Sequence, residues 1–145
     1  MTVVVPYDSS ERSKTALRRA GGFTDHSEPV LAVAVIPNGN ERYARERGWI
    51  GEDEPFEPKR IVDRLDEEVT EIDPDAVFEY VVTSRYAQAG QIASEIRTFA
   101  REHDARLVVL GSENAGRIVS NVSSVASTVT ADSAYDVLIV RQPKQ

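Results

Sequence analysis

Short runs of apolar, β-branched residues alternate along this chain with stretches whose apolar residues recur every three or four positions. The first pattern is that of strands buried on both faces, the second that of helices with one buried stripe. Residues 2–6 read as a first strand. Asp8-Ser9-Ser10 then offers helix caps ahead of a stripe of Ala16, Leu17 and Ala20, and Gly21-Gly22 stops that helix. Val30 to Ile36 is a second strand, broken by Pro37-Asn38-Gly39-Asn40. Ile61, Leu65, Val69 and Ile72 give a second helix, ended by Asp73-Pro74-Asp75, and Ala76 to Val82 is a third strand. A loop through Gly90 leads to a third helix with Ile92, Ile96, Phe99 and Ala100 inward. Arg106 to Leu110 is a fourth strand. A fourth helix carries Val119, Val122, Val125, Ala126 and Val129, and Asp136 to Arg141 closes the pattern as a fifth strand.

Five strands separated by helices predict a parallel sheet with helices on both faces, since parallel neighbours need a crossover connection. With 145 residues and no internal repeat, residues 1–145 are read as a single domain. One segment does not fit a simple connection. Residues 38–58 are polar yet carry Tyr43, Trp49 and Phe56, and are either a flap or a partly helical insert. Their aromatic rings either cover a ligand or pin the segment to the body.

Charge and composition remove several function classes. The formal charge is −7, the wrong sign for neutralising nucleic-acid phosphates, so no nucleic-acid partner is expected. There is no cysteine, which excludes thiol catalysis and disulfides. His26 and His103 are far apart and read as surface residues rather than zinc ligands. Met1 leads straight into a strand, and no apolar run is long enough to span a bilayer; the expectation is a cytoplasmic protein without a membrane partner. Lys14, Lys59 and Lys144 are the only lysines, arginine supplying the rest of the positive charge. Acid excess with so few lysines suits a protein hydrated in concentrated salt, as in a salt-loving source; an ordinary acidic protein is the alternative.

In open parallel sheets, ligands bind beyond the carboxyl ends of the strands, where the strand order reverses. Two such ends stand out. The first strand runs into Pro6-Tyr7-Asp8-Ser9-Ser10, and the fourth into Gly111-Ser112-Glu113-Asn114-Ala115-Gly116. A glycine directly after a buried strand lets backbone N–H groups approach an anion, and the helix that follows adds its positive end. Hydroxyls at Ser120, Ser123 and Ser124 are further donors. A plain strand-to-helix turn with caps is the competing reading of the same residues.

These residues carry a resemblance that spans almost the whole chain. Val5-Pro6-Tyr7-Asp8-Ser9-Ser10, with Ser13 and Ala16-Leu17, resembles the opening of universal stress proteins, where Asp-Gly-Ser usually stands in place of Asp8-Ser9-Ser10. Ile92 to Gly111, with Phe99-Ala100 and Leu107-Val108-Val109-Leu110-Gly111-Ser112, is similar to the family's third helix and fourth strand. Val137-Leu138-Ile139-Val140-Arg141 is similar to its closing strand. A response-regulator receiver would instead need an aspartate after strand three, where Thr83-Ser84 stands.

The resemblance implies a Rossmann-like α/β three-layer sandwich of the adenine nucleotide alpha hydrolase-like kind, its five-stranded parallel sheet ordered 3-2-1-4-5. It implies a homodimer through residues 137–141, an apolar edge that needs covering in any case. It also implies ATP, with magnesium, held by Pro6, Tyr7, Asp8, Ser9, Val35, Gly111, Asn114, Gly116, Arg117, Ser123, Ser124 and Val125. In that scheme Val35 meets the adenine through its backbone. Asp8 faces the ribose or a magnesium-bound phosphate; its alternative is a helix N-cap for residues 11–13. Arg117 assists the phosphates or is a solvated helix residue.

The chain departs from the family's nucleotide motif, Gly-x2-Gly-x9-Gly-(Ser/Thr). Gly111 fits the first glycine. Asn114 stands at the second, with Gly116 two places on, and Ser123-Ser124 replaces the final pair one residue early. Asn tolerates left-handed backbone angles, so the loop can form, while Ser123 either fills the phosphate space or adds a donor. Three functions follow: a nucleotide-binding stress or signalling protein, a dimeric interaction module without nucleotide, or a slow ATP hydrolase.

Overall fold

The computed structural model describes residues 1–25, 27–111 and 135–141. Strand β1 (Thr2–Pro6) leads to helix α1 (Glu11–Ala20), a 3-10 turn (Gly21–Phe23) and strand β2 (Val30–Pro37). Helix α2 (Glu41–Glu46), helix α3 (Pro58–Ile72) and strand β3 (Val77–Thr83) follow, then helix α4 (Ala89–Glu102), strand β4 (Ala105–Gly111) and strand β5 (Asp136–Val140). All pairings are parallel and the order is β3-β2-β1-β4-β5, as the resemblance implies. Strand limits move by about one residue from the sequence reading, and α4 takes in Gly90 in its first turn rather than starting after it. The fourth helix expected around Val119 to Val129 lies outside the described residues.

Side-chain alternation along the strands builds two cores. Val3, Val5, Ala32, Ala34, Leu107 and Val109 point to one face, against Ala16, Leu17 and Ala20 of α1 and Ile61, Leu65 and Val69 of α3. Val4, Val33, Val35, Val108 and Leu110 point to the other, against Ala93, Ile96, Phe99 and Ala100 of α4. Full burial of a side chain such as Leu17 or Leu65 contributes about 1.5–3 kcal/mol.

Local chemistry fixes the element ends. The Ser10 side chain caps α1 by accepting from the Ser13 N–H at 3.2 Å, with Glu11 in the first turn and Arg18 and Arg19 in the last, matching the helix dipole. Asp8 is therefore not the N-cap. Its Oδ1 accepts from the Ser10 N–H at 3.0 Å, in an Asx turn one step earlier.

The segment 38–58 is a partly helical insert. After α2, Gly48 takes φ +73°, and the Gly48 and Trp49 N–H groups return to the carbonyls of Arg45 and Ala44 at 3.0 and 2.9 Å. This Schellman end turns the chain back on itself and drives Trp49 into the core, where it is 1% exposed. Tyr43 meets its ring edge-on at 5.5 Å and Arg47 stacks over Tyr43, so the aromatics pin the segment to the body.

Candidate functional site

Because β1 and β4 are neighbours at the middle of the sheet, the chain leaves β1 for one side and returns at β4 for the other. The reversal point, where such sheets bind ligands, therefore lies between Pro6-Tyr7-Asp8-Ser9 and Gly111. Asn114, Gly116, Arg117, Ser123, Ser124 and Val125 lie outside the described residues, so the structure places one half of the expected site.

Val35 lies just past the end of the β1–β2 ladder. The last register pair of β1 and β2 is Pro6 with Val33, and the Tyr7 N–H reaches the Val33 carbonyl at 2.8 Å. Hydrogen-bonding direction alternates along a parallel strand, so Val35 aims its N–H and C=O to the same side as Val33, one step past that ladder. Its side chain is buried in the α4-side core.

Tyr7 and Ser9 point elsewhere. The Tyr7 ring enters the α1/α3 core, and its hydroxyl donates to Glu68 Oε1 at 2.6 Å. Burial, then the bond to Glu68 and its charge, push the Tyr7 hydroxyl up, so it stays a donor across the ordinary pH range. The Ser9 hydroxyl donates to the same oxygen at 2.8 Å and accepts from Trp49 Nε1 at 3.2 Å. Ser9 holds φ +71°, a left-handed angle that favours glycine, which accounts for the glycine that universal stress proteins usually carry there. The cost in this chain is about 1–2 kcal/mol, offset by those two hydrogen bonds.

Glu68 was not singled out in the sequence, yet it ties β1, the insert and α3 together. A signal existed: it lies three residues after Leu65 and four before Ile72, which puts a carboxylate on the buried stripe of α3. The insert is closed from outside by Glu54, which accepts from the Gly51 N–H at 2.9 Å and pairs with Arg64 at 2.8 Å and Arg60 at 3.3 Å. Arg64, then the Gly51 N–H, hold the Glu54 carboxyl down at about 2.

Gly111 is required by packing. A Cβ there would lie 2.5 Å from the Arg12 carbonyl oxygen and 2.6 Å from its carbon, because the first turn of α1 rests on the end of β4. Those are backbone atoms that cannot swing aside. Asp8 is half-buried, and beyond the Asx turn its carboxylate has no other hydrogen bond or ion pair among the described residues. A carboxylate of this kind can accept from ribose hydroxyls or bind a hydrated cation. No cluster of three or more histidine or carboxylate ligands occurs among the described residues, so magnesium there would depend on phosphate and water oxygens.

A cavity of about 590 Å³ lies at the opposite end of the sheet, with Asp25, Glu28, Asp73 and Asp75 in its lining. Its carboxylates would repel a phosphate. No helix among the described residues is long and apolar enough to cross a membrane.

Comparison with known proteins agrees with this geometry. The model of the universal stress protein family matches residues 1–141. Among solved structures, the hypothetical protein MJ0577, reported in a structure-based assignment of biochemical function, aligns over 99% of this chain and 97% of its own, with 19% identity and a TM-score of 0.61. The hypothetical protein PH0823 aligns over 99% and 98%, with 17% identity and a TM-score of 0.58. Likeness at that identity establishes the shared fold. No curated protein sequence matches the chain.

Proposed function

Since the chain belongs to the universal stress protein family, we propose that it is a cytoplasmic stress or signalling protein that holds an adenine nucleotide at the reversal point of its sheet. The observation that carries this is the Val35 backbone, aimed past the end of the β1 ladder beside a half-buried Asp8 with one oxygen unshared among the described residues. The base would hydrogen-bond to the main chain of β2, and Asp8 would take the ribose hydroxyls or a magnesium ion on the phosphates. Bound nucleotide would add a polyanion to an already acidic surface and so alter which partners can approach. We propose binding without turnover, since an ATP hydrolase also needs a group that orients water and a cation for the developing charge.

A second reading has its own support. Gly111 is explained by Arg12 alone, so its presence does not argue for a phosphate. A family member working only as a dimer through residues 137–141 would keep that glycine. β5 is an edge strand with Ile139 43% exposed, which suits such a contact.

Isothermal titration of the intact chain with ATP, ADP and AMP, with and without magnesium, separates the two. Nucleotide binding predicts a dissociation constant of order micromolar, about −8 kcal/mol, weakened at least tenfold by Asp8→Ala. No heat and no thermal shift at millimolar ATP would assign the chain to the interaction-module reading.

A further inference from the structure

The sheet has a second open edge, at β3, far from β5. Val77, Tyr80 and Val82 are 44%, 48% and 51% exposed, and Tyr86 just beyond the strand is 80% exposed. Four of the seven large exposed apolar side chains among the described residues thus gather on one strand and its end. Isolated exposed apolar residues need no explanation, but a row of them along an unpaired strand is a template for another strand.

The backbone says which residues face outward. The Thr83 carbonyl accepts from the Asn38 N–H at 2.9 Å, so Thr83 turns its hydrogen-bonding groups toward β2. Direction alternates, so Val77, Glu79 and Val81 do the same, while Phe78, Tyr80 and Val82 present theirs to the open edge. An antiparallel two-fold centred on Tyr80 satisfies all of them: Tyr80 exchanges both bonds with Tyr80 of the second copy, and Phe78 with Val82 of the second copy.

The side chains obey the same symmetry. Phe78 and Tyr80 already stack at 6.3 Å on the α3 side, and pairing extends that row with Tyr80 and Val82 of the second copy. Glu79 falls opposite Val81 rather than opposite itself, which avoids a like-charge pair. Charge is polar along the edge as well. The turn before β3 carries Asp73 and Asp75, and the turn after it carries Arg85. Residues 75 and 85 are equidistant from Tyr80, so an antiparallel pairing brings acid to base at both ends, whereas a parallel one would set like against like.

We propose that β3 is a self-association edge, where two copies of this chain join antiparallel about Tyr80 into one continuous ten-stranded sheet. The contact is independent of nucleotide and of β5. Where both edges are used, the two contacts alternate and build an open row of subunits rather than a closed dimer.

The chain has no cysteine, so single substitutions report the register directly. A hydrogen-bonded antiparallel pair sets Cα atoms about 5.5 Å apart, within disulfide range. Under mild oxidation Tyr80→Cys is expected to form a covalent dimer. Val77→Cys is expected to stay uncrosslinked, since the two-fold separates the two copies of residue 77 by about 20 Å. In parallel, Asp75→Arg should weaken the association seen by light scattering about tenfold, and adding Arg85→Asp should restore it. Thermal melts of each variant identify any that has lost its fold. The proposal is overturned by a folded Tyr80→Cys chain that does not cross-link, by equal cross-linking at residues 77 and 80, or by cross-linking of Tyr80→Cys to Ile139→Cys in place of itself.

Discussion

At the carboxyl end of the sheet, Glu68 accepts from Tyr7 and Ser9 beneath a buried tryptophan. At the amino end, Glu28 takes Arg106 on both oxygens, at 2.7 and 2.9 Å, and the same guanidinium donates to the Phe23 carbonyl. Both are carboxylates joining segments distant in sequence. The first is assembled from neutral donors, the Tyr7 and Ser9 hydroxyls, and is shielded by the insert. The second is a forked ion pair whose guanidinium is 33% exposed and whose carboxylate is nearly covered. The difference teaches which end tolerates change: a carboxylate whose neighbours are neutral donors leaves those donors orphaned when it goes, while loss of Glu28 leaves a part-exposed guanidinium that water can reach.

The comparison is broken most severely at the carboxyl end, where β4 meets α1. Gly111→Val inserts a branched side chain where even a Cβ would overlap the Arg12 backbone, so a loss of at least about 3 kcal/mol is expected in chemical denaturation. The same loss should appear with and without ATP. A mild effect on stability with complete loss of nucleotide binding would return Gly111 to a phosphate role.

Next comes Glu68→Ala. It strands the Tyr7 hydroxyl, removes one of the two Ser9 bonds and loosens the support of Trp49. We expect about 2–3 kcal/mol, with a rise in tryptophan quenching as Trp49 becomes accessible. Unchanged fluorescence would show that Trp49 is held by packing alone.

At the amino end, Glu28→Gln keeps one oxygen for Arg106 and should lower the melting temperature by about 2–4 °C. Acid separates the two regions further. Arg106 holds the Glu28 carboxyl below the ordinary carboxylate range, and Arg64 with the Gly51 N–H holds Glu54 at about 2. Both native values lie below the unfolded ones. Their contribution is therefore complete above about pH 4.5 and fades as pH falls through the native values, down to about 2 for Glu54. Melting curves from pH 7 to 2 should show a decline confined to that window, shallower in Glu28→Gln. A decline already under way between pH 7 and 5 would point to other groups.

The smallest expected effect is the most informative about Ser9. Ser9→Gly relieves the left-handed angle but gives up the bonds to Glu68 and Trp49, so the two changes nearly cancel, to within about 1 kcal/mol. Ser9→Ala keeps the strain and loses the bonds, and should be the less stable of the two. The reverse order would mean that the left-handed angle at Ser9 carries no strain.

The sequence by itself determined the strands, their parallel arrangement and the family. Burial on one or both faces writes itself as a local period, and Val30 to Ile36 or Ile61 to Ile72 can be read without knowing what they meet. The strand order was legible through the family pattern, not through the residues alone. Tertiary structure decided what each candidate site residue does. Tyr7 and Ser9 stand in the family signature, yet their partner is Glu68, about sixty positions later, and only the docking of α3 brings it there. Gly111 reads as an anion-loop glycine in one dimension and is a contact glycine in three, because Arg12 comes from a helix ninety-nine residues earlier. Asp8-Ser9-Ser10 offered caps without saying which would serve, until the backbone angle at Ser9 turned the chain and gave Ser10 the helix. A period records which face is buried; it carries no record of which distant group will be buried against it.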